Sequence, residues 1–475
     1  MVWFPGEPVF DPEPDKIPVH SERFTMNSKI FREYDIRGVV GKDFEAKEAE
    51  TIGRGYGTYL KSKGVNTAVV GRDCRLSSPE VRDHLVSGLT STGLDVIDVG
   101  ICPTPVLYFS LFHLTSGGGV MITASHNPPE YNGFKLCLDK TTIFGDEIQT
   151  VRGVVEKGDF AKGNGSTKEY DILTPYHEYL RNNIKIQRPV KFAADGGNGT
   201  AGPVAGPIFK ALGCPAVEMY FDMDGTFPNH EPDPTVPENM EDLSKVVKEQ
   251  GLELGLGFDG DTDRVGVVDE NGRIIYGDMV TLIFAREILK EHPNAAVVAE
   301  VKCSQNLFND INKRGGRAVM WKAGHSLIKN KMKQEHALLA GEMSGHIFFG
   351  HRYFGFDDGI YAGLRLLEIV SQREEPISQY LSDLPVMYNT EEIRVDCPEE
   401  IKFKVVEKVK QMLAEKYQVI DIDGVRVVFP DGWGLLRASN TGPILVLRFE
   451  AESPERLDAI RNLVEETLEK AKTEV

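Results

Sequence analysis

Three aspartates alternate in DGDTDR, where Asp259, Asp261 and Asp263 stand two residues apart. In an extended or looped backbone their carboxylates can converge, and they repel one another unless a hard divalent cation accepts their oxygens. Magnesium meets that demand; a solvated acidic turn is the competing reading. A calcium loop of the D-x-D-x-D-G type is rejected. Arg264 stands where that loop needs glycine, and the flanks LELGLGF and VGVV read as strands. A second stretch, TASHNPPEYNGFK from Thr123 to Lys135, ends the apolar run GGGVMI on a proline-stiffened loop that presents the Ser125 hydroxyl. It lacks the G-x-S-x-G elbow of a hydrolase, and His126, as a sequence neighbour, is expected to be poorly placed as a base. Taken alone the stretch is a turn. Beside a metal ion, the serine oxygen or a phosphoryl group on it would be activated, and Lys135 could neutralise a transferred phosphate.

Two further loops offer binding groups. GEMSGH alternates Glu342, Ser344 and His346, which are an acceptor, a hydroxyl and a titratable donor. That set suits sugar hydroxyls, against the alternative of a glycine-flanked surface turn. RASNTGP gathers Arg437, Ser439, Asn440 and Thr441, a set matched to phosphate oxygens, against a plain turn with a solvated arginine. DGGNGTAG at 195–202 resembles a phosphate cradle, but a lone glycine-rich loop is weak, and it reads as a strand-to-helix turn.

The elements that must position these loops repeat. TAVVGRDCR at 67–75 precedes a helix with Ser78 as N-cap and Pro79 at its first position; LDVIDVG at 94–100 and GGGVMITASHNP at 117–128 follow. KFAADGGNG at 191–199, CPAVEMYF at 214–221 and LELGLGFDGDTDR at 252–264 form a second set, and AAVVAEVKCS, RAVMWKAGHS and HALLAGEMSGH a third. Short apolar strands alternating with helical patterns predict sheets of largely parallel strands, with function at the strands' carboxyl ends. A hairpin-like stretch follows each set, as in VGVVDENGRIIYGD with its Asn271-Gly272 turn. From about residue 384 the pattern becomes α+β, with long helices near 398–416 and at 453–473. No one loop suffices for chemistry, so all four should face one cleft.

The totals agree with a multidomain globular protein. At 475 residues, and roughly 150 residues per domain, the chain should hold three or four domains. A net charge of −18 argues against nucleic acid and requires a locally basic cleft for an anionic substrate. No apolar run approaches the roughly 20 residues that span a bilayer, so no membrane partner is expected. The first twenty residues carry five prolines and read as a loose extension rather than a secretory signal. Six scattered cysteines without C-x-x-C argue against a zinc site and a disulfide framework, and fit the cytoplasm.

TASHNP, DGDTDR, GEMSGH and RASNTGP, in that order, resemble the four signature loops of the α-D-phosphohexomutases, and EYDIRG at 33–38 resembles their N-terminal motif. The resemblance is nearest to the bacterial phosphomannomutase/phosphoglucomutase branch and runs from about residue 28 to the end. It implies three topologically similar α/β domains with mixed sheets plus a C-terminal α+β domain around one central cleft. The expected bounds are 28–171, 172–273, 274–383 and 384–475, after an extension over 1–27. It implies that Ser125 is the phosphoserine, and that Asp259, Asp261 and Asp263, with a phosphoserine oxygen, hold Mg2+. Arg37, Lys135, Arg264 and Lys302 would line the transfer site, with His325 and His346 near the substrate and His346 or Lys135 moving a proton. Glu342 and Ser344 would bind the sugar, and Arg437, Ser439, Asn440 and Thr441 the phosphate that is not reacting. The implied activity is intramolecular phosphotransfer between hexose 1-phosphate and hexose 6-phosphate, by a monomer, with glucose 1,6-bisphosphate or an equivalent as activator. A phosphoglucosamine mutase, which usually carries glutamine where Met343 stands, is one alternative. A magnesium-dependent sugar phosphatase and a non-catalytic phosphosugar-binding protein are the others. Thr262 stands where the family often has glycine, and Ala323 where threonine is common.

Overall fold

Runs such as VVG, GLGF and VVAE are too short for helices and too apolar for the surface, so they pair in buried sheets. The computed structural model describes Met1, residues 26–440 and residues 442–475. The expected extension over 1–27 therefore lies largely outside the described residues, and Thr441 does so entirely.

The same sheet is laid down three times. In the first unit, Thr67–Arg72 lies parallel between Asp95–Ile101 and Gly118–Ile122, and Tyr131–Leu138 returns antiparallel beside the latter. In the second, Phe192–Asp195 lies between Val217–Met219 and Leu254–Phe258, and Val265–Asp269 returns. In the third, Ala296–Glu300 lies between Arg317–Trp321 and Leu339–Gly341, and Ile347–Phe349 returns. The spatial order is thus return, third, first and second strand each time. Ser125, the aspartate triplet and GEMSGH all occupy the connection between the third strand and its return. The C-terminal segment is an antiparallel sheet, including Val425–Phe429, Gly432–Ala438 and Ile444–Ala451, against which Lys402–Ala414 and Pro454–Glu474 pack.

One apolar core runs through the first three units, from Val69 to Tyr380, whereas the C-terminal segment has its own around Val405, Val427, Leu447 and Val464. Among the described residues, no helix is long and apolar enough to cross a membrane.

Two local expectations are corrected. The helix after Arg72 spans Ser78–Ser91, so Ser77 rather than Ser78 is the N-cap. Ser78 Oγ instead donates to Asp73 Oδ1 at 2.6 Å. The strand expected over 214–221 shrinks to Val217–Met219. Pro215 has no N–H for a ladder, and Tyr220 turns left-handed at φ 49°.

Candidate active site

The strand Gly118–Ile122 delivers the chain to Ser125, which adopts φ 53°, a conformation unusual outside glycine. The loop is held there from both ends. Thr123 Oγ1 accepts the Ser125 N–H at 2.8 Å, and the buried guanidinium of Arg75 donates to the carbonyls of Ser125 at 2.8 Å and Asn127 at 2.6 Å. Arg75 is itself fixed by Asp73 at 3.0 Å. So aimed, Ser125 Oγ donates to Asp259 Oδ2 at 2.8 Å. The left-handed backbone also brings His126 Nδ1 within 3.2 Å of that oxygen, but Oγ gives its one proton to Asp259, so the contact does not make His126 the base of Ser125. Burial, then Arg264 and Arg37, push the His126 pKa well down, so its ring is neutral.

Asp259, Asp261 and Asp263 are fully buried, with carboxylate oxygens within 4.8 Å of one another. Lys135 Nζ reaches Asp261 at 2.7 Å and Asp263 at 2.5 Å, and Thr104 Oγ1 donates to Asp261. Burial alone would lower the Lys135 pKa, but these two carboxylates outweigh it and hold the ammonium charged. Lys135, with Arg264 Nε 3.9 Å from Asp259 Oδ2, supplies two positive charges against three carboxylates. Burial, then Asp263 and Asp261, push Asp259 well above the usual carboxylate range. Asp261 Oδ1 and Asp263 Oδ1 are buried without a hydrogen-bond partner. Two orphaned hard oxygens in an acidic cluster short of positive charge fit a divalent ion.

Two other groups of ligating type bring their atoms within 4.8 Å of one another, and hydrogen bonding disfavours both as metal sites. Arg264 Nε donates to His346 Nε2 at 3.0 Å, so the ring proton sits on Nδ1, which faces Asp357 at 3.0 Å and is no ligand. Near the surface beside Glu291 and His292, Arg365 donates to His351 Nδ1 at 3.2 Å and likewise leaves the outward nitrogen protonated.

The metal loop is braced from behind by DGGNGTAG. Thr200 N–H donates to Gly260 O at 3.0 Å, and the Thr200 and Thr262 hydroxyls pair at 2.9 Å. This gives the glycine-rich turn a task that its sequence alone does not declare. The second and third units then meet backbone to backbone. Arg264 bridges His346, and Val265 N–H donates to Gly345 O at 3.1 Å. Gly345 has φ 89°, and a Cβ there would lie 2.6 Å from Val265 O, so only glycine permits the junction.

His346 stacks on His325 with ring centroids 5.5 Å apart, and Lys329 joins His325 at 3.2 Å and Asp357 at 3.0 Å. Arg37 is held by Asp35 and by Asn127 of the serine loop. These residues form the transfer side of the cleft. A second group forms its recognition side. Glu342 Oε1 accepts the Gly324 N–H at 2.6 Å, and Arg437 Nε donates to Asp423 at 2.9 Å. Lys302, expected at the transfer site, stands here instead: its Nζ donates to Glu392 at 3.1 Å, and Glu300, Arg437 and Glu342 are its charged neighbours. Ser439 is buried and Ser344 half-buried. Tyr34 closes the gap, donating to Ala323 O at 3.0 Å and accepting from Asn440 at 2.7 Å.

Sequence reasoning missed Asp73, Arg75, Thr104, Lys329 and Asp357. Arg75, Thr104, Lys329 and Asp357 act through partners on other elements, and Asp73 acts through Arg75. The sole local signal was a charged residue at the carboxyl end of an apolar strand or beside a motif.

An oxygen nucleophile set on buried carboxylates that can hold a metal ion, and ringed by fixed cations, places the protein among the phosphoryl-transfer enzymes. Matches along the chain narrow this. "Phosphoglucomutase/phosphomannomutase, alpha/beta/alpha domain" I, II and III match residues 28–162, 174–272 and 276–388, and the family's C-terminal domain matches 392–467. A phosphomannomutase/phosphoglucomutase of Pseudomonas aeruginosa is 48% identical over 441 residues, covering 92% of this chain and 95% of the relative. A phosphoglucomutase of Neisseria gonorrhoeae is 46% identical over 450 residues, covering 94% and 98%. A crystal structure of a phosphoglucomutase/phosphomannomutase family protein from Burkholderia thailandensis superposes with a TM-score of 0.89 at 43% identity, covering 94% of this chain and 98% of that one. The chain belongs to the phosphoglucomutase/phosphomannomutase family of the α-D-phosphohexomutase superfamily.

Proposed function

We propose that the protein interconverts hexose 1-phosphates and hexose 6-phosphates of both glucose and mannose. The route runs through a phosphorylated Ser125 and a hexose 1,6-bisphosphate that turns around in the cleft. The observation that carries this reading is the 2.8 Å bond from Ser125 Oγ to a fully buried aspartate triplet. Bound there with a phosphoserine oxygen, Mg2+ would polarise the phosphoryl group and offset its charge.

The chain's own residues do the rest. The O–P bond at Ser125 breaks as one forms at the sugar hydroxyl, and Arg37, Arg264 and Lys135 oppose the charge on the phosphoryl oxygens. The hydroxyl proton needs a base. Lys135 is held charged by Asp261 and Asp263 and cannot accept it in this arrangement. His346 Nε2 carries no proton but accepts from Arg264 Nε, so His346 becomes the base once the incoming phosphoryl group draws Arg264 away. Glu342 and Ser344 hold the sugar, with His325 beside His346. Lys302, Arg437, Ser439 and Asn440 form a charge-dominated site that takes either phosphate, as a reorienting bisphosphate requires, and the family resemblance adds Thr441 to it. Glucose 1,6-bisphosphate serves as activator by phosphorylating Ser125.

The test is incubation with Mg2+, a trace of glucose 1,6-bisphosphate, and glucose 1-phosphate or mannose 1-phosphate, following 6-phosphate and free phosphate together. Isomerisation of both sugars with little free phosphate is expected. Dominant phosphate release would favour a phosphatase instead.

A further inference from the structure

Glu300 ends the strand Ala296–Glu300, two residues before Lys302, and is 1% exposed. Its Oε1 accepts the Met343 N–H at 2.8 Å, between Glu342 and Ser344 in the sugar loop. Its Oε2 lies 3.6 Å from Lys302 Nζ and is buried with no hydrogen-bond partner among the described residues. An unpaired buried carboxylate oxygen is costly, so its position calls for a reason. On its other side Lys302 donates to Glu392, so two carboxylates share one ammonium. Arg448 ties the same two loops from the C-terminal sheet, donating to Lys302 O at 2.7 Å and touching Met343 Sδ.

We propose that Glu300 is a positioning residue that sets the sugar loop and Lys302 against each other, so that one carboxylate fixes both the carbohydrate contacts and the cation offered to a phosphate. This rests on the mutase reading above. The two oxygens have separable tasks: Oε1 needs only to accept a hydrogen bond, while Oε2 needs its charge. Burial, opposed by Lys302 and reinforced by Glu342, pushes the Glu300 pKa up to about 7, with Arg437 pulling it down. Once protonated, Glu300 no longer attracts Lys302, and Glu392 draws the ammonium outward. Met343 stays bonded in either state. Acidification through pH 7 therefore releases the cation without releasing the sugar loop.

The test compares wild type, Glu300→Gln and Glu300→Ala with Mg2+, glucose 1-phosphate and saturating glucose 1,6-bisphosphate, reading kcat and KM between about pH 5.5 and 8.5. The wild type should show kcat/KM falling on the acid side with a midpoint near 7, because Lys302 binds a phosphate. Glu300→Gln should keep kcat within about twofold, lose about tenfold in kcat/KM at the alkaline end and show no such acid limb. Glu300→Ala should lose about a further tenfold in kcat/KM, because the Met343 N–H loses its acceptor. A merely structural role would lower the melting temperature and leave the pH profile in place. An unchanged kcat/KM with the acid limb intact in Glu300→Gln overturns the proposal, as does a folded Glu300→Ala whose kcat/KM equals that of Glu300→Gln. Should Glu300→Ala not fold, Glu300→Gln decides alone. A wild type that does not isomerise sinks the mutase reading instead.

Discussion

The side-chain amide of Asn440 donates to the Tyr34 hydroxyl at 2.7 Å, joining residues 406 positions apart. Tyr34 also reaches Ala323 O, and a Cβ at Gly324 would meet its ring at 2.6 Å, so the first unit, the third unit and the C-terminal segment touch at one phenol. The contact ties these three parts of the chain together on the recognition side, beside Arg437 and Glu342. Tyr34→Phe keeps the ring and removes both bonds. It should raise KM for either hexose phosphate by roughly threefold to tenfold, the equivalent of about 1 kcal/mol, with little change in melting temperature. An unaltered KM would mean that the bond forms without contributing to substrate binding.

Removing the metal should affect activity and stability together. A chelator should abolish isomerisation, and Mg2+ should restore it. At about a hundred times its dissociation constant the ion should add about 2.7 kcal/mol of stability by binding the folded state alone. Asp261→Asn and Asp263→Asn should each lose most of that increment in a thermal melt. Full stabilisation by Mg2+ in both variants would place the ion elsewhere.

Ser125→Ala removes the oxygen that the reading requires. Isomerisation should fall to background while glucose 1,6-bisphosphate still binds, and intact mass should show no phosphoryl increment after incubation with the bisphosphate. Retained turnover would exclude a phosphoserine route. The same variant leaves the backbone clamp of Arg75 on residue 125 in place, so misfolding is not the expected cause of the loss.

The four loops were legible because each gathers unusual side chains at a strand's carboxyl end, and the threefold strand order was legible because its apolar runs recur. The support around them was not. Arg75 looks like any basic residue after a strand, yet it holds the Ser125 carbonyl across 50 positions. Asp357 and Lys329 lie 28 positions apart and meet only because the third unit's helix and return strand pack together. Burial converts such pairs into strong interactions, and burial is a property of the assembled fold. His126 shows how a local torsion escapes a reading of residue types: the positive φ at Ser125 sets its Nδ1 3.2 Å from Oγ.

Glu392 gives a pH signature on the stability side. Lys302, against the opposing effect of burial, lowers its pKa to about 2 from an ordinary 4.5. A depressed carboxylate contributes stability that is fully present above the unfolded value and is lost as pH falls through the folded one. Wild type should therefore melt above Glu392→Gln at neutral pH by the equivalent of about 1 kcal/mol, the pair being partly exposed. The difference should narrow below pH 4.5. A gap that persists unchanged into acid would assign it to packing rather than to charge.

Thr262 separates strain from hydrogen bonding in the metal loop. Its φ of 65° is one that β-branched residues resist, at a cost of about 1–2 kcal/mol. Against that, its hydroxyl pairs with Thr200, its carbonyl accepts the Gly359 N–H at 3.1 Å, and the side chain is fully buried. Thr262→Ala keeps most of the strain and loses the hydroxyl bond, so it should destabilise by about 1 kcal/mol. Thr262→Gly loses the same bond and adds unfolded-state entropy but relieves the strain, so it should stay within about 1 kcal/mol of wild type and melt above the alanine variant. If alanine proves as stable as glycine here, the surrounding bonds rather than the residue's own torsional preference fix this loop, and a glycine at this position in relatives has no conformational explanation.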